Sequence, residues 1–184
     1  MSEARSRRVF FALWPDDEAI GQLSALAHVL AAGGGGRVMR PAALHLTLAF
    51  VGSVTPARIA QLEEIALGVR VEAFDLSLDR LGFWPQRGIL WAGCLEPPSP
   101  LRRLAELLVT DLRAAGFAID HRPGAAQAPH ITLARRVRCK SLPRLGTLIR
   151  WRVSDFALVE THLHPSAASY KTLASFPLDM ADAG

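Results

Sequence analysis

Cysteine is scarce in this chain. Cys94 and Cys139 are the two among 184 residues, they form no CxxC pair, and no histidine stands near either at zinc-finger spacing. That excludes a disulfide-stapled small domain, gives no sign of a structural metal, and fits free thiols in a reducing compartment. Long apolar runs are missing as well. No stretch approaches the ~18 unbroken apolar residues of a membrane span. Met1 to Arg8 is polar and basic, without the apolar core of about 7–15 residues that marks a secretory signal. The expectation is therefore no membrane span, with the cytoplasm as default compartment. Gly33 to Gly36 make a flexible connection and not a phosphate loop, because the GxxxxGK[ST] pattern is absent. Acidic residues vanish from one interval: none lies between Asp120 and Asp155, which holds Arg122, Arg135, Arg136, Arg138, Lys140, Arg144, Arg150 and Arg152. The net charge of +4 is thus unevenly placed. Such a local excess can attract a polyanion, so nucleic acid or a nucleotide stands as a partner class beside the plainer reading of a solvated basic face.

With 50% hydrophobic and 21% charged residues, the composition is that of an ordinary globular protein, one domain or two small lobes around a sizeable core. Its distinctive content is a duplicated motif. His45-Leu46-Thr47-Leu48 lies in a run from Leu44 to Phe50, and His130-Ile131-Thr132-Leu133 in a run from Pro129 to Ala134. Apolar and polar positions alternate in both, the pattern of half-buried strands. On a strand, residues i and i+2 point the same way, about 6.5–7 Å apart. His45 and Thr47 should share one face while Leu44, Leu46, Leu48 and Phe50 fill the other, and His130 and Thr132 should do the same against Ile131 and Leu133. The second copy follows the first by nearly half the chain length. Two similar halves, each donating one such strand to a shared cleft, are expected.

Around these motifs, Val9 to Trp14 reads as a buried strand ended by Pro15. Asp16 or Asp17 then caps a helix with Ile20, Leu23, Ala27 and Leu30 inward. Thr55 with Pro56 opens a second helix over Ile59, Leu62 and Ala66. Phe74 to Leu81 should form a strand with Phe74, Leu76 and Leu78 on one side, hairpinned through Pro85 and Gly88 to Ile89 to Leu95. Ser99 and Pro100 open a third helix that buries Leu101, Leu104, Leu108 and Leu112 before Gly116. Asp120 to Pro129 is irregular, and Trp151 to Leu163 and Ser169 to Leu178 are two closing strands. This order indicates an α+β fold with mostly antiparallel pairing.

The paired His-x-Thr-hydrophobic motif resembles the two-histidine (2H) phosphoesterase superfamily, and within it the bacterial and archaeal RNA 2′,3′-cyclic phosphodiesterases, historically called 2′-5′ RNA ligases. The resemblance extends to Arg8 through Ala12, His45 through Phe50 with Gly52, Leu90 through Gly93, Pro129 through Arg135, and Tyr170, Leu173, Phe176 and Leu178. It spans essentially the whole chain; the segment His162 to Tyr170, with Pro165 and a run of small residues, departs from it. The resemblance implies a bilobal molecule: one domain, residues 1–184, of two pseudo-symmetric lobes whose antiparallel sheets line a central cleft, with helices outside and one motif from each lobe (44–51 and 129–136). It implies hydrolysis of RNA 2′,3′-cyclic phosphate ends, or of a cyclic nucleotide, to the 2′-phosphate. His45 would be the proton donor and His130 the proton acceptor, with Thr47, Thr132 and Arg135 on the phosphate. No metal or cofactor is expected, since the cyclic ester is strained and two histidines already supply proton transfer, and with no coiled-coil heptad a monomer is the simplest expectation. The residue types suit this chemistry. Two imidazoles, one neutral and one protonated, furnish a base and an acid near neutral pH, and hydroxyls two residues away can steady charge on the phosphoryl oxygens. The motifs themselves are too symmetric to separate acid from base. Arg135, at an odd offset from His130, should point off the histidine face if the strand is regular.

Plainer readings compete with these. A single histidine on a strand is ordinarily a hydrogen-bonded structural residue, the reading for His28 and His121; for His45 and His130 the matched register and threonines favour catalysis. His162 and His164 form an i, i+2 pair that could ligate a metal, but with no third ligand nearby they read as surface histidines. Trp84, Trp91, Trp151 and Phe11 could stack on a base, with Phe11 and Trp151 the better candidates, although strand aromatics usually belong to a core. Three other functions stay open: reversible 2′-5′ RNA ligation by the same histidines, an RNA-binding module without turnover, and a small metalloprotein built on His162 and His164.

Overall fold

The structure, a computed structural model, describes residues 6–32, 34–119, 129–139, 141–163 and 168–180. His121, Arg122, Lys140, His164, Pro165 and most of the irregular 120–129 segment lie outside the described residues. The chain begins with β1 (Arg7–Leu13). Asp16 then accepts a hydrogen bond from the Ala19 amide at 2.8 Å, capping α1 (Asp17–Ala31), which buries Ala19, Leu23, Ala27 and Ala31 at helical spacing. A two-residue strand, β2 (Arg37–Val38), and a 3-10 turn over Pro41–Ala43 lead into β3 (Leu46–Val54). The second helix differs at its start from expectation. Pro56–Arg58 makes a 3-10 turn and the Thr55 side chain makes no capping bond, so α2 (Ile59–Gly68) begins one turn later, still burying Ile59, Leu62 and Ala66.

The run Phe74 to Leu81 is two strands, not one. β4 (Phe74–Leu78) buries Phe74, Leu76 and Leu78 as its alternation requires. The chain then breaks at Asp79, and β5 (Arg80–Trp84) forms the hairpin with β6 (Ile89–Gly93). In α3 (Ser99–Ala114) Ser99 is the first helical residue and Pro98 occupies the cap, while Leu101, Leu104, Leu108 and Leu112 turn inward as read. Each such leucine, taken fully out of water, contributes about 1.5–3 kcal/mol. After β7 (His130–Arg135), the expected strand Trp151 to Leu163 is also two, β8 (Ile149–Val153) and β9 (Asp155–Leu163), broken at Ser154; β10 (Ala168–Pro177) closes the fold. Both breaks fall where two consecutive polar residues, Asp79-Arg80 and Ser154-Asp155, interrupt the period of two.

These breaks let the chain change sheets. β4 pairs with β8 in a two-stranded sheet, and the other described strands form a larger antiparallel sheet in the order β10-β9-β1-β3-β7-β6-β5, with β2 on β7. α1 packs against β7 and β8, and α3 against β3 and α2. The fold is thus α+β with antiparallel strands, as expected. β1 is buried on both faces. Phe11 joins Phe156 and Phe176 in the main core, ring centroids 6.1 and 6.3 Å away, whereas Phe10 and Ala12 face the other way and form a small cluster with Ala157 and Val159. That second face of the sheet carries the motifs. Among the described residues no helix is long and apolar enough to cross a membrane.

Candidate active site

The two motif strands meet. β3 and β7 pair antiparallel at Leu46 and Ile131, the second residue of each motif. Antiparallel pairing about that contact relates the motifs by a local two-fold, so His45 is set toward Thr132 and Thr47 toward His130. Pro41 begins the turn that delivers His45. The Leu44 amide closes that turn on the Pro41 carbonyl at 3.1 Å, so Leu44 and His45 precede the strand and do not lie within it as read. His130 is the first residue of its strand.

Each motif carries a β-bulge at its final leucine. Phe11 pairs with Ala49 and Ala12 with Thr47, leaving Leu48 as the additional residue; Leu90 pairs with Ala134 and Trp91 with Thr132, leaving Leu133 as the additional residue. A bulge inserts one residue and reverses the in/out phase beyond it. In β3 this overturns the expectation for Phe50, which is 37% exposed with the Arg8 guanidinium 4.8 Å from its ring centre. In β7 it carries Arg135 back onto the face of His130 and Thr132, correcting the regular-strand expectation that it would point away.

His45, Thr47, His130, Thr132 and Arg135 consequently line one cavity of about 250 Å³, together with Met39, Ala43, Trp84, Arg87, Ile89 and Tyr170. Aromatic rings flank both imidazoles. His45 lies 4.9 Å from Phe10, 4.9 Å from Tyr170 and 5.4 Å from Trp14 between ring centroids. His130 lies 4.6 Å from Trp84 and 6.0 Å from Trp91. The stacking candidates fall out differently from the reading: Phe11 and Trp151 are core residues at 0% and 4% exposure, and Trp84 is the tryptophan that lines the cavity. Phe10 was hidden because β1 is apolar on both faces, so no period separates it from Phe11. Tyr170 and Arg87 carry no local signal, since only the pairing of distant strands brings them in.

His45 Nδ1–H donates to the Ala43 carbonyl oxygen at 2.9 Å. A carbonyl can only accept, so this bond fixes the neutral tautomer and leaves Nε2 as the nitrogen available for proton exchange. Burial pushes the imidazole from its ordinary 6.5 down to about 4. The Ala43 hydrogen bond opposes the shift, and the charges of Arg135 and His130 add to it. Near neutral pH the unliganded site therefore holds His45 uncharged.

Other titratable groups stand apart from this cavity. His162 Nε2 is 3.4 Å from the Glu160 carboxylate, which also takes two hydrogen bonds from Arg7; His164 lies outside the described residues. His28 Nδ1 pairs with the Ser24 carbonyl on the exposed side of α1. Burial, aided by Asp79, pushes the Cys94 thiol up to about 11, leaving it inert as a nucleophile. Among the described residues no group of three or more His, Cys, Asp or Glu gathers as a cation site.

Known proteins are similar to this chain in sequence and in fold. A family model described as LigT like Phosphoesterase matches residues 13–91. The RNA 2′,3′-cyclic phosphodiesterase of Escherichia coli (strain K12) is 31% identical over 144 residues, covering 78% of this chain and 80% of that protein. The RNA 2′,3′-cyclic phosphodiesterase of Archaeoglobus fulgidus is 29% identical over 181 residues, covering 92% and 99%. The crystal structure of Escherichia coli LigT complexed with 3′-AMP superposes with a TM-score of 0.86 at 29% identity, over 95% of this chain and 99% of that one. On its sequence identity to relatives matched over most of their length, and on a shared fold, the chain belongs to the LigT-like phosphoesterase family.

Proposed function

We propose that this protein hydrolyses RNA 2′,3′-cyclic phosphate ends to 2′-phosphates, with His45 and His130 as acid and base. The observation that carries this reading is the convergence of both motif histidines, both motif threonines and Arg135 on one cavity. Water attacks phosphorus in line with the ribose 3′-oxygen. His130 takes the water proton as the new P–O bond forms, and His45 Nε2–H gives a proton to the 3′-oxygen as its bond to phosphorus breaks. The Thr47 and Thr132 hydroxyls and the Arg135 guanidinium hold the non-bridging oxygens, whose charge grows in the transition state. Because His45 is uncharged in the free protein, its role as donor requires a proton taken up with the substrate. A phosphate anion within the cavity supplies the field that favours the imidazolium. These groups provide proton transfer and charge stabilisation without a metal. We read the two β-sheet halves that meet at Leu46 and Ile131 as pseudo-symmetric lobes, and place the protein in the cytoplasm as a monomer.

The test is a short RNA ending in a 2′,3′-cyclic phosphate. Wild type should open it to the 2′-phosphate, and His45→Ala and His130→Ala should each lower kcat by about 10²–10⁴, the usual worth of a positioned acid or base. The pH profile should be bell-shaped and report the coupled pair, not single residues. Near-normal turnover by either variant would overturn the assignment of that residue.

A further inference from the structure

A second cavity of about 510 Å³ opens beside the first, lined by Arg37, Val38, Met39, Arg40, Ala43, Arg135, Ala168 and Tyr170. Met39, Ala43, Arg135 and Tyr170 line both, so the two adjoin. Neither lining contains an aspartate or glutamate, whereas three arginines line the second cavity. The catalytic cavity alone falls below the ~300–1,000 Å³ common for small-molecule sites. It has room for a reacting phosphate and little chain beyond it.

Local backbone geometry holds these cations together at a cost. β2 pairs with β7 so that Arg37 lies directly opposite Arg135, and like charges opposite each other in a sheet are destabilising. The approach depends on Gly36, which has φ 97° and lies so near β7 that a Cβ would stand 2.7 Å from the Arg135 carbonyl oxygen. Just past the end of β7, Arg136 takes a left-handed φ of 58°, a conformation that costs a non-glycine residue energy and is maintained only where surrounding structure imposes it. Arg40 donates to the carbonyl of Ala168, another lining residue, at 3.2 Å, which ties its guanidinium to the cavity wall.

We propose that this groove is a subsite for the 5′-phosphoryl group of the nucleotide whose cyclic phosphate sits between the histidines, with Arg37 and Arg40 as its ligands. In an RNA chain the next anion beyond a terminal cyclic phosphate is the phosphodiester on the 5′ side of that nucleotide. An adjoining groove rich in arginine is the surface that meets it. The inference rests on the cyclic phosphodiesterase reading above and adds a preference: chain ends over free cyclic nucleosides.

Three substrates separate the possibilities: adenosine 2′,3′-cyclic phosphate with a 5′-hydroxyl, the same compound with a 5′-phosphate, and a dinucleotide ending in the cyclic phosphate. The 5′-phosphate should raise kcat/KM by about tenfold to a hundredfold, the worth of a charge-assisted contact, and the dinucleotide should gain similarly. Arg40→Gln and Arg37→Gln should each remove much of that gain and leave the 5′-hydroxyl compound unaffected. Arg37→Gln also keeps the Arg40–Ala168 bond, so it reports even if the Arg40 variant is disturbed. The gain should shrink as salt rises, because a charge contact at an open groove is screened. Equal kcat/KM for the 5′-hydroxyl and 5′-phosphate compounds in wild type, or parallel losses on both in the variants, would overturn the subsite while leaving the phosphodiesterase reading intact. Failure of wild type to open any of the three would overturn both.

Discussion

The depressed basicity of His45 makes stability depend on pH in a calculable way. Its imidazole titrates near 4 in the folded protein, against an ordinary value of 6.5. Above pH 6.5 the ring is neutral in both folded and unfolded chains and contributes no pH dependence. Between 6.5 and 4 the unfolded chain binds a proton that the folded one refuses, so stability falls as pH falls. From these two values, linkage gives a loss of about 2 kcal/mol by pH 5 and about 3 kcal/mol by pH 4. Carboxylates titrate over part of this range too, so the quantity to measure is a difference. Urea unfolding of wild type and of His45→Gln at pH 7, 5.5, 5 and 4 gives two curves, and only the wild type carries the imidazole term. The stability of wild type relative to the variant should decline by about 2 kcal/mol from pH 7 to 5, with parallel m-values. A difference flat across that interval would refute the burial argument. Inorganic phosphate at saturating concentration should raise the His45 midpoint, read by proton NMR of the imidazole, because an anion in the cavity offsets the desolvation. The same proton uptake should appear in calorimetry of phosphate binding as a heat that varies with the ionisation enthalpy of the buffer.

Arg135→Gln should lower kcat/KM for cyclic phosphate by about tenfold to a hundredfold, the range for one charged hydrogen bond; it should also move the His45 midpoint upward in NMR titration, since the Arg135 charge is one cause of its depression. Gly82→Ala should destabilise by about 1–3 kcal/mol in urea unfolding, the usual cost of overpacking, because a Cβ there runs into the Trp91 ring; with Trp91 displaced from beside His130, turnover should fall in the same variant. Incubation with excess EDTA should leave hydrolysis unchanged, and a complete loss restored by zinc or manganese would sink the two-histidine mechanism.

Much of the fold is legible in residue order, because helix stripes and strand alternation are local. Leu23 and Ala27 in α1 and the leucines of α3 lie where 3.6-residue spacing puts them, while Ile20 and Leu30, read as inward, are half-buried and Ala19 and Ala31 take the buried places. What local pattern cannot carry is a change of partner. Nothing in the alternation of Phe74 to Leu81 states that its first half pairs with β8 and its second with β6, although the doublet Asp79-Arg80 marks the seam. The same limit applies to the site. Both motif histidines and both threonines are visible as a repeat, but Trp84, Arg87 and Tyr170 reach the cavity, and Phe10 reaches the His45 ring, only through pairing across long sequence separations.

The bulges at Leu48 and Leu133 join what the repeat reveals to what it conceals. A regular strand would send Thr47 and Phe50 to opposite faces and would turn Arg135 away from His130. One additional residue in each motif reverses both outcomes, so the repeat of sequence is also a repeat of backbone irregularity. The local two-fold about Leu46 and Ile131 then gives each histidine the other motif's threonine for a neighbour, and such symmetry cannot by itself make one imidazole an acid and the other a base. The difference has to come from the surroundings, which are unequal. His45 is enclosed by Phe10, Trp14 and Tyr170 and tied through Nδ1 to Ala43, whereas His130 stands beside Trp84 and Trp91 at the start of its strand. An imidazole held neutral by burial charges only when an anion arrives. Under the proposed assignment of His45 as donor, its proton would be present when substrate is bound and absent otherwise, which would couple the donor's readiness to occupancy of the site.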